Sequence, residues 1–311
     1  MVGAPVCEGR RLSEVAAEFE RDAAQKGERV CYFCAEIRLE SIYQNSPRHA
    51  KVLLGAQPVW QPGDWTNIVA KHKSLRAQLN RARNKGVTVT EWSNEKAHDN
   101  PNLLGCLREW LAAKGLPPLH FMVESDTLTR LFDRRVFVAE RDGETIGFVL
   151  LSPVARRKGW LFEQFVHKPG APNGTVELMI DTAMRALAES GCDYATLGLA
   201  PLSTRVEVAP FRNPFWLRIL LAWMRVHARR FYNFDGLDAF KAKLKPDRWE
   251  PVFAISNEPR MSPRTLYAIA AAFSENAPVR LVLGGLRRAL LTEIKWFKQS
   301  VKKNFNKEKS K

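Results

Sequence analysis

Val136-Phe137-Val138-Ala139-Glu140-Arg141-Asp142-Gly143-Glu144-Thr145-Ile146-Gly147-Phe148-Val149-Leu150-Leu151-Ser152-Pro153 reads as two strands of β-branched and aromatic residues joined at Asp142-Gly143. That dipeptide suits the tight turn of a hairpin. Downstream, Lys158 to Val166 has the composition of a third strand. Pro169-Gly170-Ala171-Pro172-Asn173-Gly174 then interrupts the pattern, and a helix is predicted up to about Ser190. Val176, Met179, Ile180, Ala183 and Leu187 fall on one face of it. Asp193 to Gly198 reads as the next strand. Antiparallel strands, a loop, one helix and a returning strand are the order of an α/β core.

Upstream, the pattern is a small α/β unit. Leu12 to Lys26 reads as a polar-faced helix with Val15, Ala16 and Phe19 inward, and Arg29 to Ala35 and Lys51 to Leu54 as strands. Asp64 is placed to cap a helix running from Trp65 to Lys85, stopped by Gly86. Val87 to Trp92 follows as a strand, and Asn102 to Lys114 as a helix ended by Gly115. The expected fold is α/β, with mixed, mainly antiparallel sheets flanked by helices. The expected division is an N-terminal domain at 1–120 and a C-terminal domain at 121–258 carrying an apolar helical insertion at 210–230. A basic amphipathic helical region at 259–311 completes it.

The 311 residues suffice for two domains. Lys and Arg number 48 against 33 Asp and Glu, a net charge of +15, which favours polyanionic partners such as nucleic acid or anionic lipid. Met1 to Arg11 has no apolar signal core, and no window approaches the roughly 20 apolar residues of a spanning helix. A cytosolic setting with reduced thiols is therefore expected. Cys31 and Cys34 form a CxxC, but on a strand residues three apart face opposite sides, and no second ligand pair completes a metal site. No metal and no cofactor is expected.

Two segments suggest a membrane. Phe215 to Val226 is an apolar helix too short to span, compatible with burial or with lying in the interface. Leu283, Leu286, Leu290, Ile294, Phe297, Val301 and Phe305 recur at helical spacing beside Arg287, Arg288, Lys295, Lys298, Lys302 and Lys303, a pattern that binds anionic membrane or docks on protein.

Four segments carry the candidate chemistry. Phe231-Tyr232-Asn233-Phe234 and Phe240-Lys241-Ala242-Lys243, continuing to Trp249, interleave rings with lysines. They read either as walls and cations for a polyanion or as a strand and turn with snorkelling lysines. If this is a strand, Lys241 and Lys243 share a face. Leu75-Arg76-Ala77-Gln78-Leu79-Asn80-Arg81-Ala82-Arg83-Asn84-Lys85-Gly86 is a helix with a strongly basic face, either solvated or phosphate-binding. The loop through Asn173-Gly174 precedes a helix N-terminus able to hold an anion, yet its prolines and the carboxylate of Glu177 argue against the pyrophosphate of an acyl-CoA. The fourth segment is Thr196-Leu197-Gly198-Leu199-Ala200-Pro201-Leu202-Ser203.

The order and spacing of these segments resemble the catalytic domain of the phosphatidylglycerol lysyltransferases, the multiple peptide resistance factor family, over roughly residues 28–255. The resemblance implies two tandem GNAT-like (acetyltransferase-like) domains and transfer of an amino acid from aminoacyl-tRNA to an anionic membrane lipid at the inner face of the cell membrane, in a stand-alone form without the flippase region. It implies that Arg76, Arg81 and Lys85 contact the tRNA acceptor end or lipid head group. Asn173, Gly174, Tyr232, Asn233 and Trp249 join them as substrate-binding residues, and Glu177 holds the amino acid's ammonium group. Its other reading is a helix-dipole partner. Glu163 or His167 is the candidate general base, and Lys241 and Lys243 are candidates for oxyanion or phosphate contacts. The chain departs from the family's Asp-Leu-Met-Arg at Glu163-Gln164-Phe165-Val166, and carries an extra residue between Pro246 and Trp249. The rival readings are a GNAT-type acyltransferase with another acyl donor and a non-catalytic protein that binds tRNA or anionic lipid.

Overall fold

The computed structural model describes residues 1–114, 127–206, 213–227 and 233–273. In chain order the first part forms α1 (Leu12–Gln25), β1 (Cys31–Ala35), α2 (Ile37–Ile42), β2 (Ala50–Trp60), α3 (Trp65–Lys71), α4 (Lys73–Arg83), β3 (Thr88–Trp92), α5 (Asn94–Ala97) and α6 (Pro101–Lys114). The rest forms β4 (Arg135–Arg141), β5 (Glu144–Val154), β6 (Gly159–His167), α7 (Thr175–Glu189), β7 (Tyr194–Thr196) and β8 (Ala200–Pro201). It ends with α8 (Phe215–His227), α9 (Phe234–Lys243), β9 (Arg248–Ser256) and α10 (Pro263–Phe273). Tyr232, Gly115 and the periodic segment from Leu283 to Phe305 lie outside the described residues.

The hairpin forms as the sequence predicts. Asp142 and Gly143 take φ of 53° and 80°, and Arg141 pairs with Glu144, so two left-handed residues turn the chain between right-twisted strands. All strands join one sheet in the order β1-β9-β2-β7-β6-β5-β4-β3, with β8 alongside β2. Among the described strands only β6 and β7 pair in parallel; the other strand pairs are antiparallel. Strand β9 lies between β1 and β2, and β3 joins β4, so each side of the sheet takes strands from both sides of residue 120.

The sheet is covered on both faces. On one, Phe137, Val149 and Phe162 pack with Trp65 of α3, Leu75 and Leu79 of α4, and Met179, Ile180 and Ala183 of α7. On the other, Val136, Val138, Phe148 and Leu150 pack with Leu103, Cys106 and Leu107 of α6. Successive residues of β4 thus feed alternate cores, which is why the run is apolar throughout rather than alternating. A third core seats α1 and α2 on β1 and β9 through Leu12, Ala16, Leu39, Tyr32 and Ile255.

Three expectations are corrected. The helix expected from Trp65 to Lys85 breaks at His72, whose φ of −109° and ψ of 97° are extended, and Asp64 makes no side-chain cap. The break is tolerated because the Arg76 guanidinium donates to the carbonyls of Val69 and Ala70 at the end of α3. Lys241 and Lys243 lie on a helix, α9, not on a strand, so two residues apart they point to different sides. The helix wins because Asn233 accepts from the Gly236 N–H at 2.9 Å as its N-cap, and Leu237, Phe240 and Leu244 recur at helical spacing. Finally, the Cys31–Cys34 strand is irregular: its register shifts between Tyr32 and Ala35, and Cys34 takes a φ of 58°. Both cysteines are free thiols, pushed up by burial to about 11 and about 12 respectively.

Candidate functional site

The pairing of β6 with β7 runs only from Gly159–Tyr194 to Leu161–Thr196. Beyond it the chain turns at Gly198, with φ of 66°, and β8 pairs with Gly55 and Ala56 of β2 instead. The sheet therefore opens between the second half of β6 and the Leu197-Gly198-Leu199 segment. The segments singled out in the sequence contact one another beside it: α9 reaches Leu197–Leu199 and Glu177 of α7, and the loop before α7 packs on α4.

Lys241 reaches into the opening from α9. It is buried, and its Nζ donates to the carbonyls of Leu197 (2.7 Å), Gly198 (2.8 Å) and Leu199 (2.8 Å). Three acceptors occupy all three ammonium donors. The oxyanion role expected of Lys241 thus has no donor left in this arrangement; the residue holds backbone. Burial pulls its amine down to about 7, while the nearby Asp238 carboxylate opposes the shift. Asp238, one turn earlier on α9, accepts from Arg205 Nε at 2.7 Å through one oxygen, and its other oxygen is buried without a partner. The Arg205 guanidinium also lies 5.7 Å from the ring centroid of Trp249. Asn233, expected at the substrate, caps α9 through its side-chain oxygen.

Lys243, on another side of α9, reaches α7. Its Nζ donates to Glu177 Oε1 at 2.6 Å, and that carboxylate is buried in the first turn of α7. The loop before α7 fits closely on α4: Gly174 has φ of 97°, and a Cβ there would lie 2.2 Å from the carbonyl oxygen of Gln78 and 3.4 Å from Ala82 Cβ. Asn173 beside it is exposed. Asp181, on the next turn of α7, is buried and accepts from Trp65 Nε1 (2.9 Å), Arg83 (2.8 Å) and Arg185 (3.1 Å), fixing α3 and α4 to α7. Arg81 and Lys85 are exposed on the outer face; Arg76 is half-buried on the end of α3.

Glu163 sits on β6 past the point where β7 departs. The register of β5 with β6 shifts there, between Leu150–Gln164 and Leu151–Phe162. Its carboxylate accepts from Ser152 Oγ at 2.5 Å and pairs with Arg134 at 3.1 Å, and the residue is exposed rather than buried in the sheet. His167 Nδ1 lies 3.2 Å from the carbonyl of Lys168. The contacts of Glu163 and His167 are thus separate from those of Lys241 and Lys243. Arg205, Asp181 and Asp238 escaped the sequence reading. Asp181 left a signal: it stands one turn after Glu177, a second carboxylate among the apolar residues of α7. Among the described residues no group of three metal-ligating side chains occurs, and no helix is long and apolar enough to cross a membrane.

The sheet of antiparallel strands, α7 and the parallel β7 that parts from β6 define an acetyltransferase-like α/β protein. Residues 1–256 match the family described as phosphatidylglycerol lysyltransferase, C-terminal, and the chain belongs to it. The phosphatidylglycerol lysyltransferase of Bacillus subtilis (strain 168) is 23% identical over 276 residues, covering 86% of this chain and 31% of the relative. The chain thus spans about a third of that relative's length. Among solved structures, the C-terminal domain assigned to a lysylphosphatidylglycerol synthetase of Agrobacterium fabrum superposes with a TM-score of 0.71, at 23% identity, over 88% of this chain and 82% of that one. L-PGS from Bacillus licheniformis gives 0.66, at 22% identity, over 91% and 80%.

Proposed function

We propose that the chain is a transferase that moves an aminoacyl group from aminoacyl-tRNA to a hydroxyl or amine of a membrane lipid at the inner membrane face. Two acetyltransferase-like halves, joined through the shared sheet, form the scaffold in this reading. The observation that carries it is the convergence of the four segments: α4 against Gly174, Lys243 on Glu177, and Lys241 on Leu197 to Leu199.

The reaction needs little covalent help, because the ester on tRNA is already activated. Attack by the lipid nucleophile forms the new ester or amide and expels the tRNA 3′ hydroxyl. A base must take the nucleophile's proton, and the residues must hold both reactants in line. Glu163 is the candidate base, held by Ser152 and Arg134 on β6 past the end of its pairing with β7. Glu177 is the candidate site for the aminoacyl ammonium; Lys243, a third exposed, marks where a cation is accepted and can give way to one. Lys241 is assigned a positioning role, holding the Leu197–Leu199 carbonyls that wall the opening.

The test is transfer of a radiolabelled amino acid from total aminoacyl-tRNA into chloroform-soluble product. Wild type should form a lipid heavier by one aminoacyl group, and Glu163→Gln should slow it about tenfold or more. No product with any amino acid or lipid supplied, with reaction of an acyl-CoA instead, would replace this reading by the acyltransferase one.

The α4 arginines separate binding from stability. Arg81→Glu should weaken tRNA binding and lower the slope of log K against log salt by about one, the value of a lost phosphate contact. Arg76→Glu should instead lower the melting temperature, since two carbonyls of α3 lose their donor. Filter binding across a salt series and thermal melts read the two effects. An unchanged slope for Arg81→Glu would leave this face merely solvated.

A further inference from the structure

Helices α8 and α10 both pack on one apolar patch of the sheet. Leu217 and Leu221 of α8 and Leu266 and Ile269 of α10 cover Val52, Ala254 and Met261. The opposite faces of the same helices are also apolar. Phe215 is 74% exposed, Trp216 44%, Ile219 55% and Tyr267 53%. Phe215, Trp216 and Ile219 are three and four residues apart and form one face, while Leu217 and Leu221 form the inner one. Four of the nine large apolar side chains exposed among the described residues thus lie on these two helices, a concentration rather than scatter. The charge around them has one sign. Arg218, Arg260 and Arg264 are exposed, and neither Phe215–His227 nor Pro263–Phe273 contains an acidic residue. Glu258 nearby is buried, held by Thr265, Arg29 and the Ser262 N–H.

We infer that the outer face of α8 and α10 docks on the surface of an anionic bilayer. Phe and Ile suit the acyl boundary, Trp and Tyr suit the head-group level, and the arginines reach lipid phosphate. At 13 residues, α8 is about 20 Å long, too short to cross a hydrocarbon core of about 30 Å, so it lies in the interface. A second copy of the chain is the poorer occupant. A two-fold contact through this face would bring the arginines of one copy against a face with no acid on either helix to pair them. The inference deepens the membrane part of the proposed function and is independent of the transfer chemistry.

The test uses the full chain with the triple substitution Phe215→Ser, Trp216→Ser, Ile219→Ser, and separately Arg218→Glu with Arg264→Glu. Sedimentation with vesicles of phosphatidylglycerol and phosphatidylcholine, and of phosphatidylcholine alone, is the readout. Both variants should melt like wild type because the altered side chains are exposed. The triple variant should bind the anionic vesicles about tenfold more weakly or worse, and the charge variant should lose much of the salt dependence. Transfer to lipid dispersed in detergent micelles should persist in both, which separates docking from chemistry. Vesicle binding equal to wild type would overturn the inference. So would loss of micellar transfer together with vesicle binding, which would place these side chains in the site. Conversion of a wild-type dimer to a monomer with vesicle binding unchanged would also overturn it, by making a second copy the occupant.

Discussion

Lys241→Ala is expected to lower transfer by a hundredfold or more while leaving most of the sheet folded. The substitution removes the three donors that hold the carbonyls of Leu197, Gly198 and Leu199, and it leaves a cavity in their place. A displacement of about 1 Å in a positioning wall costs on the order of a hundredfold in rate. Lys241→Met fills the volume without supplying donors, so it should recover stability more than rate. A merely structural lysine would show both recovering together. The pH dependence gives a second readout. Burial holds the Lys241 amine near 7, below its ordinary value of 10.5. Between those values the unfolded chain binds a proton that the folded chain does not, so this residue's contribution to stability rises with pH across the window. Below pH 7 the full cost of the buried charge is present. Stability of wild type relative to Lys241→Met should therefore climb by about 1.4 kcal/mol for each unit from pH 7 towards 10. Over the same range transfer should fall, because the neutral amine has only two donors for three carbonyls. A relative stability that falls with pH, or rates of the two variants that match wild type, would remove Lys241 from the site.

The second half of the fold was legible because its signals are local. Asp142-Gly143 fixes a two-residue hairpin, and the apolar residues of α7 keep helical spacing over 15 residues. The placement of β9 between β1 and β2 was not legible. Nothing within Arg248–Ser256 records that its partners lie some 200 residues away. The α9 segment misled because rings and lysines at alternate positions satisfy a strand pattern as well as a helical one. The Asn233 cap and the Leu237, Phe240, Leu244 spacing decide between them. The candidate site was legible as a set of segments, through resemblance, but the division of labour within it was not. Whether Lys241 faces a ligand or three carbonyls depends on where the chain turns after β7. Whether Arg76 is free or engaged depends on a helix break that only the packing of α3 and α4 against α7 requires.

The same close packing makes Gly174 hard to change. Gly174→Ala should lower folding stability by about 3 kcal/mol or more, two effects adding. A non-glycine residue in a left-handed conformation costs about 1 kcal/mol or more, and Gly174 has φ of 97°. The new methyl would also lie 2.2 Å from the Gln78 carbonyl oxygen, a backbone atom of α4 that cannot rotate away. Relief requires α4 to move off the α7 N-terminus, which pulls Leu79 and Ala82 from the core and strains the Arg83–Asp181 bond. Gly170→Ala is the control. Its φ of 94° carries the same conformational cost, but no atom lies within 4 Å of the added Cβ, so only about 1 kcal/mol should be lost. Urea melts of the two variants measure the difference, and an aminoacyl transfer assay below both transitions shows whether α4 has shifted from the site. Equal losses for the two glycines would mean that the contact with Gln78 yields without cost, and that Asn173-Gly174 is kept only for its turn.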